Sequence, residues 1–244
     1  KVVGQPVLKV DALEKVTGAA LYTADIKFPR MLHAAVVRSP HAHAKVKDVR
    51  VDKALKVPGV RAVATGKDFP LHTGIYLKDQ TVFATDRVRF VGDAVAAVAG
   101  ETPEAAEAGA RAVEVDYEVL TPILSVQDGI AEDATLVHPD LHKYVCVPWI
   151  NPKKGTNINN HVKVRKGDYH AALKKCPHVF ENTFKVPQVQ CVPMETHVSV
   201  AQVDNVGKVR VTTSAQSPFT VRHLLCTCFD LPHGDVEVIV PSVG

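Results

Sequence analysis

The groups that could do chemistry in this sequence are twelve histidines, five cysteines and an uncharged amide in an unusual place. His41 and His43 carry H-x-H spacing, which on a strand puts both rings on one face and could begin a metal site. No third ligand is apparent in the sequence, and "SPHAH" reads more easily as a polar turn. Cys226 and Cys228 form a C-x-C pair flanked by His223 and His233. A metal site usually needs two such pairs, or histidines at ligand spacing. Cys226 also falls in the apolar phase of a predicted helix, so buried free thiols are expected. Glu195 and His197 would share one strand face beside Val198 and Val200, and read as a buried structural pair sooner than as an acid–base couple. Asp93, directly after Gly92, reads as a residue that fixes a bulged turn.

The amide is Gln216. In "TTSAQSPFTVRHLLC" (212–226) a β-type run, Val209, Val211, Thr212 and Thr213, breaks at Ser214-Ala215-Gln216-Ser217-Pro218. A helix-like pattern of Val221, Leu224 and Leu225 follows. A turn from strand to helix can hold a polar group just beyond a sheet edge, aimed at a ligand. It can equally be a solvated turn. Self-contained catalytic motifs are absent: the sequence has no G-x-S-x-G, no phosphate-binding loop, no G-x-G-x-x-G and no H-E-x-x-H.

The chain that must position these groups has 244 residues, enough for one large or two medium domains. Its net charge is only +3, and the basic residues are scattered, which argues against a nucleic-acid partner. No apolar run approaches the roughly 18 residues of a membrane span. No signal peptide is recognisable, although a chain that starts at Lys1 leaves room for a lost leader. An odd number of cysteines suits reduced thiols in a cytoplasmic protein better than a disulfide framework.

The pattern along the chain predicts an α+β fold. Residues 1–18 are an opening segment. Residues 19–124 alternate strands (32–39, 44–51, 61–66, and 87–100 with a break at Gly92-Asp93) with a short helix in "VDKALKVPGV". The clearest helix is "TPEAAEAGARAVEV", with Thr102 as N-cap and Pro103 in the first position. Its alanine-rich face implies close packing on a sheet. Residues 125–160 read as a turn-rich linker. Residues 161–244 begin with a helix in "DYHAALKKC" and continue with strands at 178–186, 195–203 and 208–214, the last two joined by the hairpin "DNVG". A helix from Thr220 and the strand "VEVIVPSVG" follow. That strand runs into the end of the chain, so the edge at Val236–Gly244 is expected to be an interface, and the chain to be part of a longer whole.

Several motifs together resemble the molybdenum-binding subunit of the xanthine dehydrogenase and aldehyde oxidase family. They are "VDALEKVTGAALYTADI" (10–26), "VRSPHAHAKV" (37–46), "DQTVFATDRVRFVGDAVAAVAGETPEAAEAGARAVEVDYEVL" (79–120), "QCVPMETHVSVA" (190–201) and "TTSAQSPFTVRHLL" (212–225), in the family's order over nearly the whole chain. The resemblance implies an α/β hammerhead domain at 19–124, then the first, incomplete part of a molybdopterin-binding domain at 161–244.

It also implies a molybdenum hydroxylase acting on a purine, another N-heterocycle or an aldehyde. In the family a metal-bound hydroxide attacks an electron-poor carbon, hydride passes to a sulfido group, and electrons leave through [2Fe–2S] clusters to FAD. The cofactor implied is a molybdenum–pyranopterin, in dinucleotide form if the source is bacterial, with no direct protein ligand to the metal from this chain. The partners implied are the remainder of the molybdenum-binding subunit, which carries the catalytic glutamate and most pterin contacts, and the [2Fe–2S] and FAD subunits. Gln216 matches the family glutamine whose amide donates to the apical oxo group. Gly244 matches the first glycine of a loop whose backbone approaches the cofactor, and Tyr76 and Leu77 align with apolar residues of the substrate funnel. Cys191 departs from the family, where histidine is often found. The competing reading is a non-catalytic scaffold or assembly module that has lost its cofactor.

Overall fold

A computed structural model describes residues 3–244. Helix α1 (Ala12–Thr17) ends at Gly18, whose φ of 74° is the left-handed conformation that closes helices. Strands β1 (His33–Arg38) and β2 (Ala44–Arg50) follow, then helix α2 (Asp52–Leu55) and β3 (Val60–Thr65). Short strands β4 (His72–Thr73), β5 (Gln80–Thr81) and β6 (Arg87–Val88) lead to β7 (Ala94–Gly100). Helix α3 (Pro103–Ala112) and β8 (Glu114–Val119) complete this half. The helix begins where the residue types require: Thr102 Oγ1 accepts the Ala105 N–H at 3.1 Å, and Pro103 needs no acceptor for a missing donor.

The first half is organised on β7. It pairs antiparallel with β1 on one side and β3 on the other. Because side chains alternate across a strand, β7 feeds two cores. Val95 packs with Ala44, Ala84 and Val88, while Ala96 and Val98 pack with Ala54 and Val113. A second sheet, in the order β6-β2-β8, supplies the far wall of the first core. Helix α3 lies across β1 and β7, as its alanine-rich face implies. The approach is close: a Cβ placed on Gly109 would come within 2.7 Å of methyl carbons of both Val60 and Val98. The turn before β7 is held by Asp93, as expected. Its carboxylate accepts the Arg89 N–H at 3.0 Å and its carbonyl accepts the Ser39 N–H at 2.9 Å. Burial pushes the Asp93 carboxyl above its ordinary range.

Residues after β8 are turn-rich but tied down. Helix α4 (Val126–Ile130) is capped by Ser125, and the Asn157 amide donates to the carbonyls of Gly129 and Thr135 while its oxygen accepts the Val137 N–H. Arg89 reaches across to the Val137 carbonyl. His138, beside Tyr144 Oη at 3.2 Å, is held down to about 4, mainly by burial and then by the positive charge of Arg89.

The second half contains α5 (Tyr169–Lys175), β9 (Ser199–Val203), β10 (Val209–Thr213), α6 (Pro218–Phe229) and β11 (Val236–Ile239). The hairpin at 204–207 is present, with the Asp204 N–H donating to the Lys208 carbonyl. Helix α6 starts at Pro218, two residues earlier than the apolar pattern indicates. The strand expected at 178–186 does not form: Phe180 and Phe184 alternate correctly but remain 88% and 86% exposed. Alternation makes a strand only where a second backbone lies alongside, and among the described residues none does. No helix among the described residues is long and apolar enough to cross a membrane.

Two outcomes are expected from this packing. Gly109→Ala should lower the urea midpoint. Helix propensity favours alanine by about 1 kcal/mol, but overpacking against two stiff valines costs roughly 1–3 kcal/mol. An unchanged or raised midpoint would contradict the close approach. Acidification should also destabilise the chain between pH 6.5 and about 4, because the unfolded chain binds a proton at His138 that the folded chain resists. The loss is of the order of ~1 kcal/mol after allowance for solvent at a partly exposed ring. His138→Gln should flatten that part of the stability profile, measured by denaturant titration at several pH values; an identical profile would show that the ring does not carry it.

Candidate cofactor-facing site

The sheet of the second half has the order β11-β10-β9. β9 runs antiparallel to β10, with Ser199 opposite Thr213. β11 runs parallel to β10, with Ile239 opposite Thr212. The start of β9 and the ends of β10 and β11 therefore reach one edge. In open α/β sheets the crevice beyond the carboxyl ends of parallel strands is where ligands bind. Three segments meet there: 195–198 leading into β9, the turn 214–217 after β10, and 240–244 after β11.

The turn is built by hydroxyl groups. The Ser199 and Thr213 hydroxyls lie 2.8 Å apart, and Thr213 Oγ1 donates to the Val198 carbonyl at 3.2 Å. The Ser214 N–H donates to the same carbonyl at 3.1 Å, and Ser214 Oγ accepts the Val198 N–H at 3.1 Å. These bonds extend the ladder beyond the last paired residues, so Gln216 leaves from a pinned backbone. The Gln216 side chain is exposed at this turn. Helix α6 begins directly after it, with Ser217 in the N-cap position and no side-chain cap. Its first N–H groups, the positive end of the helix, face the same edge.

The third segment is gripped twice. Ser242 forms a parallel bridge with Tyr22, next to the fully buried Thr23. The Gly244 N–H donates to Glu195 Oε2 at 2.5 Å. Neither contact is visible in the sequence, since the partners lie far apart along the chain.

Of the expected site residues, Gln216 and Gly244 reach the same sheet edge. Tyr76 and Leu77 do not line one wall. Their backbone pairs with 145–147, and alternation sends Leu77 inward, 8% exposed, while Tyr76 is 60% exposed. Glu195 and His197 are not the buried pair expected. Residues 195–198 precede the ladder, so nothing forces them onto one face; His197 is exposed and the Glu195 carboxylate serves Gly244. His43 is buried with Nδ1 3.0 Å from the Thr121 carbonyl, whereas His41 packs edge-on against Tyr117. A carbonyl only accepts, so Nδ1 carries the proton of His43. Cys226 is buried as expected and Cys228 partly so, and burial raises the Cys228 thiol. All five cysteines are free thiols.

The comparisons with known proteins agree with this architecture. Residues 17–121 match the aldehyde oxidase and xanthine dehydrogenase a/b hammerhead domain, and residues 150–244 match the molybdopterin cofactor-binding domain. The nicotinate dehydrogenase large molybdopterin subunit of Eubacterium barkeri is 33% identical over 246 residues, which cover 100% of this chain and 54% of the relative. A probable xanthine dehydrogenase subunit of Bacillus subtilis (strain 168) is 34% identical over 239 residues, covering 97% of this chain and 30% of the relative. Among solved structures, quinoline 2-oxidoreductase from Pseudomonas putida 86 superimposes with a TM-score of 0.82 at 28% identity, over 100% of this chain and 31% of that one. Reconstituted CO dehydrogenase from Oligotropha carboxidovorans gives 0.83 at 29% identity, over 99% of this chain and 31% of that one. The chain thus spans 54% and 30% of the length of the two relatives described. With a hammerhead domain followed by a molybdopterin-binding domain, it belongs to the xanthine dehydrogenase and aldehyde oxidase family.

Proposed function

We propose that this chain is part of a molybdenum hydroxylase that oxidises an aromatic N-heterocycle, a purine or an aldehyde. The observation that carries the reading is the arrival of the Gln216 turn and the Gly244 backbone at one sheet edge, beside the uncapped start of α6. The heterocycle side of the reading is supported by relatives named for nicotinate, xanthine and quinoline. When bound, the molybdenum–pyranopterin supplies the two-electron redox chemistry, and the oxygen added to substrate comes from water.

The residues at the edge fit such a group. An electron-rich oxygen needs neutral or positive donors, and the edge offers the Gln216 amide together with free N–H groups at a helix start. Gln216 would hold its amide as a donor to an electron-rich oxygen of the bound group and so stabilise negative charge there. A carboxylate in its place would repel that oxygen. Gly244 lets its backbone lie against Glu195, because a Cβ there would come 2.7 Å from Glu195 Cβ. The catalytic glutamate, the remaining pterin contacts, the [2Fe–2S] clusters and FAD are assigned to further sequence or partner chains, in a cytoplasmic complex. The scaffold reading gains no specific support, since it leaves the exposed amide without a role.

One fixed donor in a dry site contributes about 2.7–4 kcal/mol, or roughly 100- to 1000-fold in rate. Gln216→Ala in the assembled enzyme should therefore slow reduction by substrate within that range at unchanged metal content, and Gln216→Glu should slow it further. Stopped-flow reduction measures this; wild-type rates in both variants would return Gln216 to a solvated turn. The chain on its own, supplied with molybdenum cofactor, should turn over neither xanthine nor an aldehyde, and measurable aerobic turnover without a partner would refute the division of labour.

A further inference from the structure

Glu195 has no part in the reading above, yet it sits on the same edge. Its Oε2 accepts the Gly244 N–H at 2.5 Å, across 49 residues of sequence. Its Oε1 is buried and has no hydrogen-bond partner among the described residues. A Cβ on Gly244 would lie 2.7 Å from Glu195 Cβ and 3.3 Å from Oε2, so the two residues meet as closely as a glycine allows. Leaving a carboxylate oxygen dry and unpaired is costly, and a solvated glutamate would avoid it by turning outward. Here the side chain is held inward by a charge-assisted bond to the backbone it faces. The other grip on this segment, the bridge between Tyr22 and Ser242, is made by backbone alone.

We propose that Glu195 is a positioning residue: its carboxylate fixes the course of the chain at 242–244 after β11, and with it the separation between the Gly244 backbone and the Gln216 turn. The inference rests on the cofactor-facing reading of this crevice and deepens it. Gln216 provides a donor from one wall, and Glu195 sets the other wall without touching the bound group. The hydroxyl bonds among Ser199, Thr213, Ser214 and Val198 make the arrangement stiff, because they tie the base of the 195–198 segment to the base of the Gln216 turn.

The test uses the full-length protein assembled with its partner chains, as wild type, Glu195→Ala, Glu195→Gln and Gly244→Ala. Amide hydrogen exchange over 242–244 reads the latch directly, and the molybdenum electron paramagnetic resonance spectrum reads the crevice. Glu195→Ala should speed exchange at 242–244 roughly tenfold or more, the loss of one bond to a charged acceptor, and should shift the spectrum. Glu195→Gln keeps an acceptor oxygen and should restore both toward wild type. Gly244→Ala, which forces the two walls apart with Glu195 intact, should reproduce the spectral shift even where Glu195→Ala fails to fold. A residue that only supported the fold would lower the melting temperature and leave the spectrum alone, and that result overturns the proposal. So does wild-type exchange in Glu195→Ala. If the wild-type protein holds no molybdenum while exchange still depends on Glu195, the latch stands and the cofactor reading falls. If molybdenum is bound and exchange ignores Glu195, the reverse holds.

Discussion

The parallel pairing of β10 with β11 is the constraint on which the proposed site depends. Two parallel neighbours cannot be joined by a tight turn, so the chain must cross back over the sheet, and α6 makes that crossing. The crossing brings two carboxyl ends and one helix start to the same edge. Antiparallel β9 adds its own beginning there. Residues 195, 216 and 244 thereby come to one sheet edge, where the Glu195 carboxylate takes the Gly244 N–H. Any rearrangement that reversed β11 would scatter them to opposite ends of the sheet.

The first half solves a different problem. It places β7 between two strands and between two cores, which requires small residues on both faces. Its run of Ala and Val satisfies that requirement, and Gly100 and Gly109 let α3 settle closer than larger residues would allow. The consequence is a rigid platform with little room for change. Helix α6 rests partly on it: Phe229 packs edge-on against Phe69, with ring centres 5.5 Å apart. The element that carries the Gln216 turn is thus braced by the platform as well as by its own sheet.

Several polar side chains in this structure hold backbone groups. Asp93 holds a turn, Asn157 ties three separate carbonyl and amide groups, and Thr102 and Ser125 cap helices. Glu195 does the same for Gly244 but retains a buried oxygen without a partner among the described residues. In the proposed reading, that grip sets the course of residues 242–244.

Local pattern alone determined the elements whose reasons are local. The cap at Thr102, the alanine face of α3, the hairpin at 204–207 and the strand-to-helix turn at Gln216 follow from residues that are neighbours in the chain. The family motifs belong with them, since each is a short run. Tertiary structure decided whatever needed a second segment. Residues 178–186 carry the right alternation and stay unpaired because, among the described residues, no backbone lies beside them. Tyr76 and Leu77 part to opposite faces because residues 145–147 pair with them. His43 is buried while His41 meets Tyr117. Glu195 turns from His197 to Gly244 because the return of β11 brings a distant N–H within reach. Propensity and periodicity act over a few residues, whereas strand pairing and side-chain capture depend on where the rest of the chain has gone.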